Sequence, residues 1–296
     1  MYTFQKQTQR IKEGKGFIAA LDQSGGSTPK ALLGYGIAES EYSSEAEMYA
    51  LMHQMRARVM QDPGFTGDKI IGVILFEKTM NGQVNGMPTP EFLWSKGIVP
   101  FLKIDKGLKE KDLGVQLMKD IPSLSDVLED AVSKGIFGTK MRSVILENNQ
   151  DGIALIVKQQ FELGRKILAQ GLAPILEPEV DIHAAEKGEI EKLLLDEILK
   201  ELEGMADDQP VILKLTIPNA ANHYLTLVNH PKVLRVFALS GGYELDEACA
   251  LLSKNQGMIA SFSRALLNDL RADQSAADFS EALDTAIGKI YAASIT

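Results

Sequence analysis

Short apolar runs recur along the chain and alternate with longer segments in which apolar residues repeat at helical spacing. Gly, Pro or a charged residue bounds these runs, which is typical of buried strands rather than of helices. Because the runs are apolar at successive positions, they predict strands that are covered on both faces, as in a parallel sheet. The predicted strands lie at residues 17–22, 69–77, 99–105, 137–145, 172–180, 211–218, 233–239 and 258–264.

The segments between the runs predict amphipathic helices, because their apolar residues recur every three to four positions. A helical segment through Lys15 opens the chain, and further helices are predicted from Lys30 and at residues 44–60, 90–96, 124–134, 148–170, 186–205, 245–252 and 278–293. Eight strands that alternate with helices predict an α/β protein, a single (β/α)8 TIM barrel. No linker divides the chain, so we expect residues 1–296 to form one catalytic barrel domain with N-terminal and C-terminal helical extensions.

The composition is that of a globular protein with a large core, since 45% of the 296 residues are hydrophobic and 24% are charged. The net charge of −9 argues against nucleic acid as a partner. No stretch has the roughly 18 apolar residues of a membrane span, and the start lacks the apolar core of a secretory signal. The single cysteine, Cys249, fits a reducing compartment. We expect a cytoplasmic protein with no membrane partner; the sequence favours neither a monomer nor a homo-oligomer.

Polar residues stand at or beside the end of every predicted strand. In a (β/α)8 barrel these ends meet at one mouth, which carries the active site in enzymes of this fold. Any one of them could be a strand end that reaches solvent, or part of a salt-bridged layer inside the barrel. Their occurrence on all eight strands predicts a functional site. They are Asp22, Glu77, Lys103, Asp105, Lys140, Arg142, Glu177, Glu179, Lys214, Ser240, Gly241, Gly242 and Arg264.

Lys214 is the charged residue within the apolar run at residues 211–218. A buried ammonium group is costly unless it is paired, reaches water or loses its proton. Taken alone, such a lysine is usually structural, either salt-bridged or with its stem crossing the sheet to solvent. Here Lys103 and Lys140 at the same mouth would oppose a third positive charge and favour the free amine, the nucleophile that forms imines with carbonyl compounds. Neighbouring carboxylates could exchange protons with a hydroxyl group or a carbinolamine.

The ends of the last two predicted strands carry groups that suit a phosphate. The corresponding strand ends of a barrel commonly hold phosphate through backbone N–H groups. The Ser240-Gly241-Gly242 turn lets the backbone approach an anion, and Ser263-Arg264 adds a charged fork. A second anion site could form at residues 24–27 or between Lys30 and Arg142. Together these residues predict an imine-forming carbon–carbon lyase that acts on a phosphorylated carbonyl compound.

Several short motifs occur in a fixed order along the chain. They are A-L-D-Q-S-G-G-S at residues 20–27, G-V-I-L-F at 72–76, L-K-I-D-K-G at 102–107, K-M-R at 140–142, L-E-P-E at 176–179, L-K at 213–214, L-S-G-G at 239–242 and F-S-R-A at 262–265. Each is weak alone, but the ordered set, which spans residues 16–264, strongly resembles the class I fructose-bisphosphate aldolases. That family is independent of metals and acts through a Schiff base.

The resemblance implies a role for each matched residue. Lys214 would form the Schiff base with the substrate ketone, and Glu177 would be the main proton donor and acceptor, with Glu179 and Lys140 beside it. Asp22 would handle the hydroxyl group whose deprotonation accompanies carbon–carbon cleavage. The implied substrate-binding residues are Arg264 with Ser240, Gly241 and Gly242 at one phosphate, and Ser24, Ser27, Lys103 and Arg142 around the rest of the substrate.

The implied reaction is the reversible cleavage of fructose 1,6-bisphosphate to dihydroxyacetone phosphate and glyceraldehyde 3-phosphate, a step of glycolysis and gluconeogenesis. Because the imine is the electron sink, we expect neither a metal nor another cofactor. In the animal enzymes a glutamate stands in place of Gln23 and a tryptophan in place of Met141. The chain stops soon after Tyr291, so we do not equate this residue with the C-terminal tyrosine that assists those enzymes. These departures bear on hydroxyl stereoselectivity, so an aldolase that also accepts tagatose 1,6-bisphosphate is the alternative.

Two other classes of protein, a metal-dependent aldolase and a barrel without enzyme activity, can be distinguished from a class I aldolase. A metal-dependent aldolase would need a ligand cluster, but the four histidines, His53, His183, His223 and His230, include no i,i+4 pair of the kind found in H-E-x-x-H. A barrel retained only for binding or as a scaffold would form no covalent adduct on Lys214.

Overall fold

The computed structural model describes residues 2–296 and contains a closed ring of eight parallel strands. Each strand pairs in parallel with the next one along the chain, and β8 pairs with β1, so the sheet closes on itself. The strands are β1 Phe17–Leu21, β2 Ile70–Leu75, β3 Val99–Lys103, β4 Gly138–Ile145, β5 Ala173–Val180, β6 Val211–Thr216, β7 Val233–Leu239 and β8 Ile259–Phe262. The predicted single (β/α)8 barrel is confirmed.

Side chains alternate between the barrel interior and the surrounding helices along each strand. On β1, Ile18 and Ala20 belong to the apolar cluster inside the barrel, whereas Phe17, Ala19 and Leu21 belong to the larger cluster between the strands and the helices. Because both faces are buried, nearly every strand position is apolar, which is why the strands appear in the sequence as uninterrupted runs.

Aromatic rings fill the N-terminal part of the barrel interior. The Phe101 ring lies edge-on to Phe137 and Phe237, with centroid separations of 5.4 and 6.4 Å. The first helix packs against β2, β3 and β7 and contributes Ile11 to the same cluster. Its Phe4 ring lies 4.8 Å from that of Phe137. This apolar plug closes the N-terminal end and leaves the C-terminal end for ligands.

Side-chain caps mark the start of several of the surrounding helices. Ser44 accepts a hydrogen bond from the Glu47 amide, and Asn149 accepts one from the Gly152 amide, so each satisfies a backbone donor that has no partner within its helix. The α-helices are Tyr2–Glu13, Ser27–Tyr35, Glu45–Gln61, Glu77–Met80, Thr89–Ser95, Leu124–Ser133, Gln150–Ala169, Lys187–Glu203, Leu225–Val228, Leu245–Leu252, Arg264–Leu267 and Ala276–Ser294. Across residues 2–296, no helix is long and apolar enough to cross a membrane.

The structure changes some of the predicted bounds. The second strand ends at Leu75 and is followed by the helix Glu77–Met80, and the eighth ends at Phe262 and is followed by the helix Arg264–Leu267. In both cases the polar residue that closes the apolar run begins a helix, which alternation alone does not indicate. The helix expected from Lys30 begins earlier, at Ser27. Elements too short for a periodic pattern were not predicted: the hairpin Gln83–Val84 with Met87–Pro88, the strand Val115–Gln116 antiparallel to β4, and the 3₁₀ helix Glu39–Glu41.

Candidate active site

The predicted catalytic side chains point into the barrel because side chains alternate between the two faces of each strand. A residue two positions after an inward-facing core residue also faces the barrel interior. Ile212 precedes Lys214 in this way, and Ile175 precedes Glu177. The same spacing relates Ala20 to Asp22, Phe101 to Lys103 and Gly138 to Lys140. These polar groups therefore form a layer directly above the apolar plug.

Four buried charged groups form a chain across the floor of the site. Lys214 Nζ lies 3.0 Å from Glu177 Oε1, and Lys140 Nζ lies 2.9 Å from Glu177 Oε2 and 2.7 Å from Asp22 Oδ2. None of the four residues is more than 7% exposed. The positive and negative charges alternate and cancel along the chain, which allows all four to be buried together.

The lysines hold both carboxyl groups in their charged form. Burial by itself would raise the pKa of Asp22 and of Glu177, because a carboxylate is poorly solvated inside the barrel. The ammonium groups of Lys140 and Lys214 outweigh burial, so the pKa of each carboxyl lies below its ordinary value. Burial would likewise lower the pKa of Lys140, but Asp22 and Glu177 raise it well above its ordinary value. At neutral pH these three groups are charged.

Lys103 and Lys140, the two lysines that the sequence argument placed near Lys214, are each offset by an acid. Lys103 Nζ lies 2.8 Å from Asp105 Oδ1 and also donates to the Asp105 carbonyl oxygen. Lys140 lies between Asp22 and Glu177. Both ammonium groups that the sequence argument set against Lys214 are thus paired with acids. The Lys214 amine itself contacts a carboxylate, Glu177.

Arg142 and Glu179 form a second charged layer, two positions further along β4 and β5 than Lys140 and Glu177. Arg142 Nε donates to Glu179 Oε2. Burial would lower the pKa of Arg142, but its hydrogen bond to Glu179 and the charge of that carboxylate raise the pKa well above its ordinary value. Because 39% of the Arg142 side chain is exposed, the guanidinium can still contact a ligand.

A cavity of about 710 Å³ opens above these layers at the C-terminal end of the barrel. Its volume is in the range of small-molecule sites. All of the predicted site residues except Gly242 line it: Asp22, Ser24, Ser27, Lys103, Lys140, Arg142, Glu177, Glu179, Lys214, Ser240, Gly241 and Arg264. Within residues 2–296, no group of three or more His, Cys, Asp or Glu side chains is arranged to hold a metal ion.

The turn after β7 brings its backbone beside Arg264. Gly241 has a φ of 62°, and a Cβ there would lie 2.5 Å from Ile182 Cγ2, so the turn requires glycine at this position. A Cβ on Gly242 would lie 3.4 Å from Arg264 Nη2. Gly242 therefore lies beside Arg264 without lining the cavity. The residues predicted to bind phosphate at the ends of β7 and β8 thus lie close together.

The loop after β1 is a tight turn closed by Ser27. The Ser27 hydroxyl donates to the Ser24 carbonyl oxygen at 2.9 Å and accepts from the Ser24 amide at 3.0 Å. Gly25, with a φ of 54°, allows the chain to reverse. Both serines reach the cavity in this way, on the turn that leads into the helix Ser27–Tyr35.

Two residues of the site environment escaped the sequence argument. Ser261 stands two positions after the inward-facing Ile259, is 2% exposed, and its hydroxyl has no hydrogen-bond partner among the described residues. The alternation of β8 could have found it. Arg56 lies behind the β1 loop and donates to Gln23. The sequence gives no signal for it, because an arginine within an amphipathic helix is usually on the polar face. Tyr291 packs against the outer core and does not line the cavity.

The fold and the charged mouth define a (β/α)8-barrel enzyme with a buried lysine in the second half of β6. The family described as fructose-bisphosphate aldolase class-I matches residues 4–220, and the chain belongs to this family. It is accordingly a lyase.

Of two solved structures similar to the chain, one supports the fold. The fructose-bisphosphate aldolase of Plasmodium falciparum, determined in complex with TRAP and a small-molecule inhibitor, is similar with a TM-score of 0.79 and 22% identity, over 99% of this chain and 94% of that one. A sugar phosphate isomerase/epimerase from Parabacteroides distasonis gives a TM-score of 0.45 and 11% identity over 94% and 96%, too distant for any inference.

Proposed function

We propose that the chain catalyses the reversible cleavage of fructose 1,6-bisphosphate to dihydroxyacetone phosphate and glyceraldehyde 3-phosphate through a Schiff base on Lys214. The observation that carries this proposal is the contact of 3.0 Å between the Lys214 amine and Glu177, at the floor of a cavity whose rim holds anion-binding groups. An amine, a proton acceptor and phosphate ligands in one mouth are the groups that imine chemistry on a sugar phosphate requires.

Imine formation needs a free amine first and an acid afterwards. Transfer of a proton from Lys214 to Glu177 supplies both. The amine attacks the C2 carbonyl carbon. The carbinolamine oxygen then takes the proton held by Glu177 and one from the nitrogen, and leaves as water. The product is a protonated imine, which carries the positive charge that the ammonium group carried before.

Asp22 is the proposed base for the cleavage step. Its pKa lies below the ordinary value beside Lys140, so it is a carboxylate at neutral pH. It accepts the C4 hydroxyl proton while the C3–C4 bond breaks. The bonding electrons move to C3 and toward the imine nitrogen, which gives a neutral enamine, and C4 becomes the aldehyde carbon of glyceraldehyde 3-phosphate. Protonation at C3 and hydrolysis of the imine then release dihydroxyacetone phosphate and restore Lys214.

Lys140 supports both steps. It contacts Asp22 and Glu177 at once, so it holds the two carboxylates on either side of the reacting carbons. Glu179, through Arg142, continues the charged wall above them. These roles explain why a lysine, rather than an apolar residue, occupies the centre of this layer.

The rim of the cavity offers two places for phosphate. Arg264 with the turn that follows Ser240 suits the phosphate on the dihydroxyacetone half, because a guanidinium and approachable backbone amides meet there. The candidates for the rest of the substrate, including its second phosphate, are Ser24, Ser27, Lys103 and Arg142.

We further propose that residues 1–296 act as one catalytic domain and that the enzyme serves glycolysis in the cytoplasm. The cavity draws its lining from Ala20 through Arg264, so no shorter part of the barrel contains the whole site.

Borohydride reduction tests the Schiff base. In the presence of dihydroxyacetone phosphate, we expect one covalent adduct that maps to the Lys214 peptide and disappears in Lys214→Met. Lys192→Met, which removes an exposed lysine paired with Glu189, is the matched control and should be trapped like the wild type. An adduct that persists in Lys214→Met, or turnover of the wild type with no adduct, would rule out this mechanism.

The substrate assignment needs a separate test. We expect kcat/KM for fructose 1,6-bisphosphate to exceed that for tagatose 1,6-bisphosphate, which differs in the configuration of the C4 hydroxyl that Asp22 would deprotonate. Equal values for the two epimers would support the enzyme of relaxed specificity instead.

A further inference from the structure

The Arg56 guanidinium is buried behind the β1 loop and is held by neutral groups. The residue is 1% exposed and lies on the helix Glu45–Gln61. Its Nη1 donates to the Thr79 hydroxyl at 2.7 Å, and its Nη2 donates to the Gln23 carbonyl oxygen at 2.5 Å and to Gln23 Oε1 at 3.2 Å. A buried arginine is normally found with a carboxylate. The charge of the Asp22 carboxylate acts on Arg56, but the hydrogen bonds of Arg56 go to neutral groups and fix the next residue, Gln23.

Arg56 also decides which way the Gln23 amide points. An arginine can only donate hydrogen bonds, so the oxygen of the Gln23 amide must face it. The amide nitrogen then faces Ser263, and Gln23 Nε2 donates to Ser263 Oγ at 2.6 Å. The hydroxyl oxygen of Ser263 is therefore an acceptor in this contact, which leaves its hydrogen directed elsewhere.

Ser263 lines the cavity and is followed by Arg264, which also lines it. We propose that Arg56 and Gln23 are positioning residues that turn the Ser263 hydroxyl so that it donates a hydrogen bond to the substrate phosphate held beside Arg264. The inference rests on the proposed function in one respect, the binding of a phosphate at the ends of β7 and β8. Ser263-Arg264 is already expected at a phosphate; what is added is the role of Arg56 and Gln23, which act through Ser263.

The hydrogen bonds that run from Arg56 through Gln23 to Ser263 form a relay. This relay requires an amide at position 23, because a carboxylate there would reverse the hydrogen bond with Ser263. A glutamate at position 23 has no donor, so the Ser263 hydroxyl would turn its hydrogen to that carboxylate. The phosphate would lose one hydrogen bond. Glutamate would also pair well with the buried Arg56, so Gln23→Glu should leave the fold intact while it changes the direction of the last hydrogen bond. With Gln23 the Ser263 hydroxyl is therefore free to donate to a phosphate, whereas with a glutamate after the aspartate it would donate to that carboxylate.

The test is a double-mutant cycle in KM for fructose 1,6-bisphosphate. We expect Ser263→Ala and Gln23→Glu each to raise KM about tenfold, as expected for one hydrogen bond to a charged group. The double variant should also show about a tenfold increase, because both changes remove the same hydrogen bond. If the carboxylate introduced by Gln23→Glu acted only by repelling phosphate, the two effects would multiply to about a hundredfold, and the relay would be wrong.

Controls separate the relay from general damage to the site. Trapping of unphosphorylated dihydroxyacetone on Lys214 should be unchanged in both variants, because that ligand has no phosphate. Ser253→Ala and Gln256→Glu make the same chemical changes on exposed residues, and both should leave KM unchanged. Loss of dihydroxyacetone trapping in Ser263→Ala would show a structural defect and would contradict a role confined to phosphate.

Binding of inorganic phosphate, measured by titration calorimetry, distinguishes failure of the relay from failure of the proposed function. It does not depend on imine chemistry, and we expect Ser263→Ala, Gln23→Glu and the double variant each to weaken it about tenfold. If the wild type forms no Schiff base but phosphate binding weakens in this pattern, the relay stands and the aldolase mechanism falls. If trapping succeeds and Ser263→Ala changes phosphate affinity less than twofold, the relay is refuted.

Discussion

Replacing Lys140 with methionine removes the cation that joins Asp22 to Glu177 and keeps an unbranched side chain of similar length. In the wild type, its amine lies 2.7 and 2.9 Å from the two carboxylates. With an effective dielectric constant of about 20, one such contact is worth about 6 kcal/mol of Coulomb energy. Desolvation offsets much of that gain, and breaking a buried ion pair typically costs about 3–5 kcal/mol. We therefore expect the free energy of unfolding of Lys140→Met to be lower by about 3–5 kcal/mol at pH 7.5.

The pH dependence separates this electrostatic cost from a loss of packing. The folded pKa values of Asp22 and Glu177 lie below the ordinary 3.8 and 4.5, so their stabilising contribution is complete above those values and is lost as the pH falls through the folded pKa. Lys140 has a folded pKa above 10.5, so its contribution is complete below that value and is lost as the pH rises through the folded pKa. In Lys140→Met, Asp22 is buried without its nearest cation, so acid should protonate it and relieve the cost.

The stability difference between wild type and Lys140→Met should therefore be largest at neutral pH and should shrink toward pH 4. Urea unfolding followed by circular dichroism at pH 7.5 and pH 4.5 measures it. Lys192→Met, which breaks an exposed pair with Glu189, serves as the control and should change stability by less than about 1 kcal/mol at both pH values. A difference below about 1 kcal/mol for Lys140→Met, or one that is equal at the two pH values, would refute the reasoning.

Four further predictions address the chemistry, the phosphate site and the turn. Glu177→Gln should lower kcat by about 10²–10⁴-fold with little change in KM, because imine formation loses its proton acceptor; steady-state kinetics and the rate of borohydride trapping check this. Arg264→Ala should raise KM for fructose 1,6-bisphosphate by about tenfold to a hundredfold and leave dihydroxyacetone trapping unchanged; an equal loss with both ligands would contradict a phosphate role. Gly241→Ala should lower stability by about 1–3 kcal/mol in thermal unfolding, because its φ is 62° and a Cβ would meet Ile182, whereas Gly34→Ala has open space and should not destabilise. Activity should survive incubation with EDTA, since the proposed electron sink is an imine; inactivation that zinc restores would point to a metal-dependent enzyme instead.

The barrel could be predicted because strands that are buried on both faces appear in the sequence as uninterrupted runs of apolar residues. A run such as β6 contains no polar residue except Lys214 until Thr216, and helical spacing resumes after each such run. The residues of the mouth were predictable for a related reason: a charged residue at the end of a buried strand has few places to go other than the open end of the barrel. Strand ends remained ambiguous where a polar residue begins a helix, as Glu77 and Arg264 do.

The pairing of the charges could not be predicted in the same way. The predicted barrel makes β4, β5 and β6 neighbours, but which acid contacts which amine also depends on strand register and side-chain direction, which the strand pattern does not specify. The sequence argument placed both amines and carboxylates at the mouth, and the structure shows that Glu177 is the carboxylate against Lys214. Arg56 escaped for another reason: a long polar side chain on a helix usually reaches solvent, and only the three-dimensional packing turns this one inward.

The shared alternation of the strands limits which insertions the gene can tolerate. Ile212 and Lys214 face the interior because one residue separates them. Adding a single residue between them would turn the amine toward the surrounding helices and leave the cavity without its proposed nucleophile. In surface loops, side chains do not alternate between an inner and an outer face, so an insertion there has no such effect. Natural length variation in this enzyme should therefore accumulate between the strands and be purged within them, even where the affected strand positions touch no substrate.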